Sequence, residues 1–241
     1  KPGVAIKQRD LFSIPVPSAA LLWRDLHVRD RTNVEKNGKP STKIQNVRVE
    51  IVMEGVTRDK AWSCGLEFDY NNEESFYCRP LRLDNGPARM LIPVEVESVH
   101  VALLPPMSGL ADREFVKQQG EIGVLIGQGQ TAQVLRNLCF QIYDKKKNNW
   151  IDLVKHIKDL FGVELLSPQY IAERSEITTA YEDERKNKLD LSSSGRGFQK
   201  TLLLLSHLYA NPGAVLLLDE PDAHLEILRQ RQTYNLLIQV A

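Results

Sequence analysis

Two short stretches of this chain combine residue types and spacings that suit phosphate chemistry. The first is a serine- and glycine-rich run, Ser192-Ser193-Ser194-Gly195-Arg196-Gly197. It leads directly into an apolar run, Phe198 to Tyr209, so it predicts a turn followed by a buried helix. Small residues at a helix start let backbone N–H groups approach an anion closely, and the helix dipole favours negative charge there.

The second stretch is an aliphatic run, Val215 to Leu218, followed by Asp219-Glu220-Pro221. An unalternated aliphatic run bounded by turn residues predicts a central parallel strand that is covered on both faces. Ligands of open α/β sheets bind beyond the carboxyl ends of the strands, where the two acids would stand. One carboxylate could hold Mg²⁺ on a phosphate, and its neighbour could polarise a water molecule.

Each stretch also has a plain structural alternative when it is taken alone. Ser192 to Gly197 could be an ordinary loop with a helix cap, and Asp219-Glu220 could cap the helix that follows. The two stretches stand close together in the order turn, helix, strand and acids, and this combination favours nucleotide binding.

The same residues resemble the ATPase heads of SMC, RecF and OLD-like proteins, which are ABC-type members of the AAA family of ATPases. LLLDEP resembles their Walker B motif, and SSSGRGFQ resembles their signature motif. Ala223, His224 and Leu225 stand where that class has its D-loop; His224 could lie at a subunit contact or be an ordinary loop histidine. The likeness is sharp over about forty residues and loose elsewhere.

This resemblance implies an α/β fold, a P-loop NTPase of the ABC-ATPase type, with ATP and Mg²⁺ as cofactors. Two heads would meet as a homodimer, or within a higher oligomer, and enclose the nucleotide. Asp219 would help to hold Mg²⁺, and Glu220 would act on the attacking water. The turn from Ser192 to Gly197 would touch the γ-phosphate bound to the partner subunit.

The 241 residues contain no G-x-x-x-x-G-K-[S/T] P-loop. Asn37-Gly38-Lys39-Pro40 lacks the earlier glycine and has proline where Ser or Thr is needed. We therefore expect the P-loop (Walker A) upstream of these residues and the switch histidine of the class downstream. The predicted ATPase is accordingly incomplete in this chain.

The pattern of the chain divides it into two predicted lobes, 1–107 and 108–241. In the first, an alternating strand over 47–54 and another over 62–70 precede a turn at 71–74, a returning strand to Arg79 and a strand from Val94 to Leu104. This portion resembles the antiparallel β-rich lobe of ABC-type heads.

The second portion predicts a helical lobe that carries the signature motif. Helices are expected over 131–143 and 150–161, and a strand over 171–181. Gly127 to Ala132 superficially matches a dinucleotide fingerprint, but the third glycine is missing, and a glycine-capped helix start explains it better.

Composition excludes several classes of protein. Lys plus Arg and Asp plus Glu number 31 each, so no overall charge predicts nucleic-acid binding, although local basic patches remain open. Three cysteines favour a reducing compartment over a disulfide framework. Without a signal peptide or a run of apolar residues long enough to span a bilayer, we expect a cytoplasmic protein that has no membrane contact.

The function that the resemblance implies is an ATP-hydrolysing head that drives or gates an effector in DNA repair or antiviral defence. DNA and a nuclease or another effector protein are the expected partners, although no nuclease motif occurs in the sequence. One alternative is a nucleotide-dependent scaffold that does not hydrolyse ATP. Another is the ATP-binding subunit of a transporter, which the departure of residues 191–195 from LSGGQ disfavours.

Overall fold

The computed structural model describes residues 3–11, 14, 16–36, 39–57, 59–83, 88–223 and 225–240 of a mixed α/β chain. These residues form two compact units, Lys1–Val99 and His100–Ala241. The boundary predicted after residue 107 concerns the lobes of an ATPase head and stays a prediction. Among the described helices, none is long and apolar enough to cross a bilayer.

The first unit is built from antiparallel strands. They are β1 (Val4–Lys7), β2 (Arg29–Lys36), β3 (Lys39–Asn46), β4 (Arg48–Thr57), β5 (Lys60–Asn72) and β6 (Ser75–Pro80). One sheet has the order β1-β6-β5-β4, and β2 pairs with β3 separately. The predicted hairpin is confirmed, because β5 and β6 pair with Tyr70 opposite Phe76. The Asn37-Gly38 pair, which by its sequence predicts a turn, lies outside the described residues.

Aromatic side chains form the core of this unit. Trp23, Tyr70 and Phe76 pack together. The rings of Trp23 and Tyr70 are arranged edge to face, with 5.6 Å between their centroids. The indole N–H of Trp23 donates to the carbonyl of Val47 (2.8 Å), so the buried ring keeps a polar partner.

The second unit combines five helices with short strands in its described residues. In chain order they are β7 (Val101–Leu104), α1 (Gln119–Gly127), α2 (Leu135–Lys145), α3 (Lys147–Phe161), β8 (Glu164–Leu165), β9 (Gln169–Ile171), β10 (Glu176–Thr178), β11 (Ala180–Glu182), β12 (Lys188–Asp190), α4 (Arg196–Ala210), β13 (Val215–Leu218) and α5 (Ile227–Val240). Helix α4 packs against α2 and α3, and every residue from Phe198 to Tyr209 is buried. The predicted buried helix is confirmed.

Strand β13 pairs in parallel with β7, with Val215 opposite Val101 and Leu218 opposite Leu104. The predicted parallel pairing is therefore confirmed, but the predicted central position is wrong, since β7 is the only strand that pairs with β13 among the described residues. The predicted cover on both faces is wrong for this chain, since Val215 and Leu217 are 51% and 50% exposed. Only the opposite face, through Leu218, packs against the helical core.

Two predicted strands are broken in the structure. Residues 94–104 do not form one strand, because Val94–Ser98 is a 3₁₀ turn. Pro93 precedes the turn as its N-cap residue, and the Ser98 hydroxyl donates to the Glu95 carbonyl (2.8 Å) at its end. Residues 171–181 form parts of three short strands, because Ser175 has a left-handed backbone (φ 50°) between a 3₁₀ turn and β10.

The glycine-capped helix start predicted near Gly127 is also wrong. Gly127 ends α1, a helix that the sequence did not predict, and Gly129 turns the chain with φ +73°. A 3₁₀ turn, Thr131–Gln133, separates this bend from α2. The dinucleotide alternative fails for the same reason, since the stretch follows a helix and not a strand.

Candidate functional site

The serines of the predicted signature motif close their own turn. The backbone N–H and the hydroxyl of Ser192 both donate to Oδ1 of Asp190, at 2.8 and 2.6 Å. The hydroxyl of Ser193 donates to the Asp190 carbonyl (2.7 Å), and that of Ser194 donates to the Leu191 carbonyl (2.6 Å). Because each hydroxyl has one hydrogen, these bonds leave backbone N–H groups as the donors that the turn can offer to an anion.

Those N–H groups belong to the first turn of α4. Gly195 is its N-cap residue, with an extended backbone and no side-chain cap. The first bond that returns to the cap runs from the N–H of Gln199 to the Gly195 carbonyl (3.2 Å), so the intervening N–H groups have no helical acceptor. Open space lies in front, since a Cβ on Gly195 would meet no atom within 4 Å. Exposed Arg196 adds positive charge at the same end of the helix.

The two predicted acids follow the carboxyl end of β13. The N–H of Asp219 donates to the Leu104 carbonyl (3.0 Å), which continues the parallel pairing by one residue. Both Asp219 and Glu220 are exposed, and neither forms an ion pair within the described part of the chain. Glu220 has a left-handed backbone, φ 47°, which costs a non-glycine residue about 1 kcal/mol.

Lys200 joins the signature helix to the acidic end. It lies in the second turn of α4, is only 7% exposed, and donates from Nζ to the carbonyl of Glu220. Burial lowers the pKa of Lys200, and the nearby charges of Asp222 and Glu220 oppose that shift. The buried cation thus fixes the backbone of Glu220 while its carboxylate stays exposed.

A small cavity of about 80 Å³ lies at this junction. Its lining comes from the loop after β7 and from the start of α4: Met107, Ser108, Gly109, Arg196, Gln199 and Lys200. A narrower crevice beside it is lined by Lys200, Asp219 and Pro221, among others. The structure therefore brings the start of α4 close to the acids that follow β13.

Comparison with known families agrees with this arrangement. Residues 98–240, which hold both motifs, match the family described as "AAA domain, putative AbiEii toxin, Type IV TA system". The chain belongs to this family. No curated protein matches it. Membership of the AAA-domain family supports a P-loop NTPase-like fold and nucleotide-binding ATPase activity, with the nucleotide and Mg²⁺ use that such activity entails.

The acidic end of the AAA domain fits a magnesium ion by its chemistry. Mg²⁺ prefers one or two carboxylates and completes its shell with water and phosphate oxygens. Asp219 and Glu220 supply exposed carboxylate oxygens of this kind. Among the described residues no cluster of three or more metal-binding side chains occurs, and a Mg²⁺ site that shares its ligands with phosphate does not need one.

The predicted D-loop of the AAA domain is only partly described. The N–H of Ala223 donates to the Glu220 carbonyl (3.2 Å), and the N–H of Leu225 donates to the Asp222 carbonyl (3.1 Å). Leu225 is buried, and His224 lies outside the described residues. Contact of this segment with a second subunit stays a prediction.

Sequence analysis missed Lys200 in this candidate site and three residues that form hydrogen bonds behind its serine turn: Arg136, Glu114 and Asp190. Lys200 had a local signal, because it is the one Lys, Arg, Asp or Glu residue in the apolar run from Phe198 to Tyr209. Arg136 had a weaker one, because it lies among buried apolar residues of α2. Asp190 had a local signal as an Asx-turn residue two positions before Ser192, whereas Glu114 had none, and only the tertiary fold places both beside Arg136.

Proposed function

We propose that this chain is the signature and Walker B part of an ATP-hydrolysing head that dimerises around nucleotide. The observation that carries the proposal is the junction at Lys200, where a helix start that suits an anion and two exposed carboxylates share one end of a parallel strand pair. Either feature alone has an ordinary structural explanation. Together in an AAA domain they suit a head that offers an anion site to its partner's nucleotide and carboxylates to its own.

The proposed roles follow from the chemistry of each group. Glu220 accepts the proton of the attacking water, for which an exposed carboxylate at a strand end is suited. Asp219 helps to hold Mg²⁺, which neutralises charge on the phosphates. The N–H groups at the start of α4 stabilise negative charge on the γ-phosphate held by the partner subunit.

The P-loop of the same head would hold the nucleotide from its own side, and the dimer would be a homodimer or part of a higher oligomer. We further propose that closure of the dimer drives or gates an effector in DNA repair or antiviral defence. The effector is a nuclease or another protein, with DNA as the expected ligand. The family description, which names a toxin, is compatible with an effector of this kind.

The test is phosphate release by the full-length protein, with and without DNA, compared with its Glu220→Gln variant. Glutamine keeps the shape of the side chain but cannot accept the proton, so turnover should fall by about a hundredfold or more. Equilibrium binding of ATP should persist, and ATP-dependent dimers should accumulate because they no longer hydrolyse their nucleotide.

The matched control is Glu184→Gln, at an exposed glutamate of the hairpin between β11 and β12, which should keep wild-type turnover. Unchanged hydrolysis in Glu220→Gln would remove Glu220 from the proposed role. If the wild-type protein binds ATP without releasing phosphate, the protein is a nucleotide-dependent scaffold instead. Co-purification with a membrane protein would favour the transporter alternative.

A further inference from the structure

A buried charged network lies behind the signature turn and is not part of the proposed catalytic groups. It begins at Glu114, whose side chain is fully buried. One carboxylate oxygen accepts the backbone N–H and the side-chain amide of Asn137, at 2.6 and 2.8 Å, and the other accepts the N–H of Arg136 at 2.9 Å. Glu114 therefore caps the start of α2 from a distant segment, as an N-cap side chain does locally.

Arg136 carries the network from α2 to the turn. Its side chain is 2% exposed, and one guanidinium nitrogen donates to the carbonyl of Ala111 (2.8 Å). The other terminal nitrogen donates to Oδ1 of Asp190 (3.3 Å). A planar guanidinium held at both ends has little freedom to turn, so Arg136 fixes the position of Asp190.

Asp190 in turn forms hydrogen bonds with the serines of the turn. The same oxygen that faces Arg136 accepts both the N–H and the hydroxyl of Ser192, and the carbonyl of Asp190 accepts the hydroxyl of Ser193. Burial raises the pKa of Asp190, but bonds from Ser192 and Arg136 outweigh it and keep the pKa below its ordinary value. Asp190 thus stays charged, and the charge is shared between the turn and the buried guanidinium.

The charge of Arg136 matters as well as its geometry. The carboxylate of Asp190 lies next to an anion-binding turn, and its negative charge would repel the anion. Arg136 lies 3.3 Å from this carboxylate, which is 48% exposed, and 4.0 Å from the buried carboxylate of Glu114, so its positive charge partly offsets both. The arrangement is a preorganised support, of the kind that sets the precision of a binding site.

We propose that Arg136, acting through Asp190, is a positioning residue that holds the Ser192–Ser194 turn in the geometry needed for turnover in the partner subunit's site. The proposal rests on the proposed function, because it needs a turn that acts on nucleotide. Arg136 does not itself touch the nucleotide. Its loss should lower kcat without changing how each head binds ATP.

The main variant is Asp190→Ala, since its half-exposed side chain can be removed without opening the core. In the full-length protein it should lower kcat by about tenfold or more, because a small displacement of a catalytic donor has effects of that size. Equilibrium ATP affinity should stay close to wild type, whereas the melting temperature should fall by several degrees, because buried Arg136 loses its nearest carboxylate partner. Arg136→Gln should show the same kcat loss, and the double variant should lose no more than the worse single variant, since the two residues act as one unit.

Arg174→Gln is the matched control, because Arg174 is an exposed arginine whose ion pair with Glu176 (3.1 Å) lies outside the network. It should leave kcat unchanged. If Arg136→Gln does not fold, Asp190→Ala and the milder Asp190→Asn still test the proposal. Wild-type kcat in Asp190→Ala would overturn it.

Mixing two impaired variants distinguishes a loss of support for the turn from general damage to the protein. In a mixed dimer of Glu220→Gln and Asp190→Ala, one site combines an intact Glu220 with an intact turn from the other subunit. Randomly mixed protein should therefore recover about a quarter of wild-type turnover, since half the dimers are mixed and each has one complete site. No recovery would overturn the inference, whereas unchanged turnover in Glu220→Gln alone would overturn the proposed function first.

Discussion

The Ser192–Gly195 turn and the acidic end of β13 lie at the same end of α4, yet they are built in opposite ways. In the turn, every serine hydroxyl donates to a protein oxygen, and a buried arginine stands behind Asp190. At the acidic end both carboxylates are exposed, and the contacts from Lys200 and Ala223 hold only the backbone of Glu220.

This contrast fits the two roles proposed for these regions. A group that stabilises a developing charge works best when it is fixed beforehand, because it then needs no reorganisation during the reaction. A group that accepts a proton must instead keep its oxygens available to the water that it acts on. The turn should therefore be sensitive to added charge and the acidic end to loss of backbone support.

The largest expected effect distinguishes two interpretations of the turn, an anion-binding site and an ordinary helix cap. Gly195→Asp places a good N-cap residue at an extended position with open space in front. As a cap it should keep or slightly raise the free energy of unfolding. As a negative charge at the γ-phosphate position it should lower turnover by about a hundredfold.

Gly195→Asn is the control for this change, since it has the same shape and a similar capping ability without the charge. ATPase rates and urea unfolding of both variants, compared with wild type, distinguish the anion site from the helix cap. Equal turnover in Gly195→Asp and wild type would leave the turn as an ordinary helix cap.

The next effect concerns α4, the helix that supports both regions. His207 is 3% exposed, and neither ring nitrogen has a hydrogen-bond partner among the described residues. Burial lowers the pKa of His207 from 6.5 to about 4. The unfolded chain takes up a proton between these values and the folded chain does not, so stability is complete above about pH 6.5 and falls as the pH drops toward 4.

Urea unfolding at about pH 7.5 and about pH 5 should show a loss of about 2 kcal/mol that depends on His207. His207→Leu should remove that part of the loss, whereas His100→Gln, at an exposed histidine, should not. If His207→Leu keeps the full loss of stability, other groups control the acid sensitivity of this unit.

A smaller effect tests the support of the acidic end. Lys200→Met keeps the length of the side chain and removes the donor to the Glu220 carbonyl. The strained backbone of Glu220 should relax, and turnover should fall by about tenfold because the carboxylate is displaced. The free energy of unfolding should change by no more than about 1 kcal/mol, since the variant no longer buries an ammonium group.

Lys155→Met, at an exposed lysine of α3, is the control and should have wild-type turnover. The decisive comparison is between kcat and ATP affinity. A parallel loss of both in Lys200→Met would mean that the lysine supports the fold of the site in general and not the placement of Glu220.

The sequence predicted those parts of the site that local pattern controls. The aliphatic run Val215–Leu218 and the apolar run that begins at Phe198 predict β13 and α4, because each is a continuous run of largely apolar residues bounded by turn residues. Helix α1 escaped prediction because Gly120 and Gly123 interrupt its pattern. Strands of two or three residues, such as β8 and β11, are too short to show any period.

The supporting contacts could not be predicted for a different reason. Arg136 meets Asp190 across 54 positions of sequence, and Lys200 meets Glu220 across 20. Such pairs are set by how helices and strands pack, and no local spacing encodes them. The motifs are thus readable from the chain, whereas the groups that hold them in place are readable only from the fold.

The smallest expected effect tests whether the turn is held by Arg136 or by the hairpin that precedes it. Lys186, at the tip between β11 and β12, lies 3.3 Å from Glu182 and is 72% exposed. Exposed pairs of this kind contribute little, so Lys186→Gln should change the free energy of unfolding by less than about 0.5 kcal/mol and leave turnover unchanged. A tenfold loss of turnover would instead show that the hairpin tip acts on the turn through β12. In that case Arg136 alone would not explain how the turn is held, and the hairpin would be a second support.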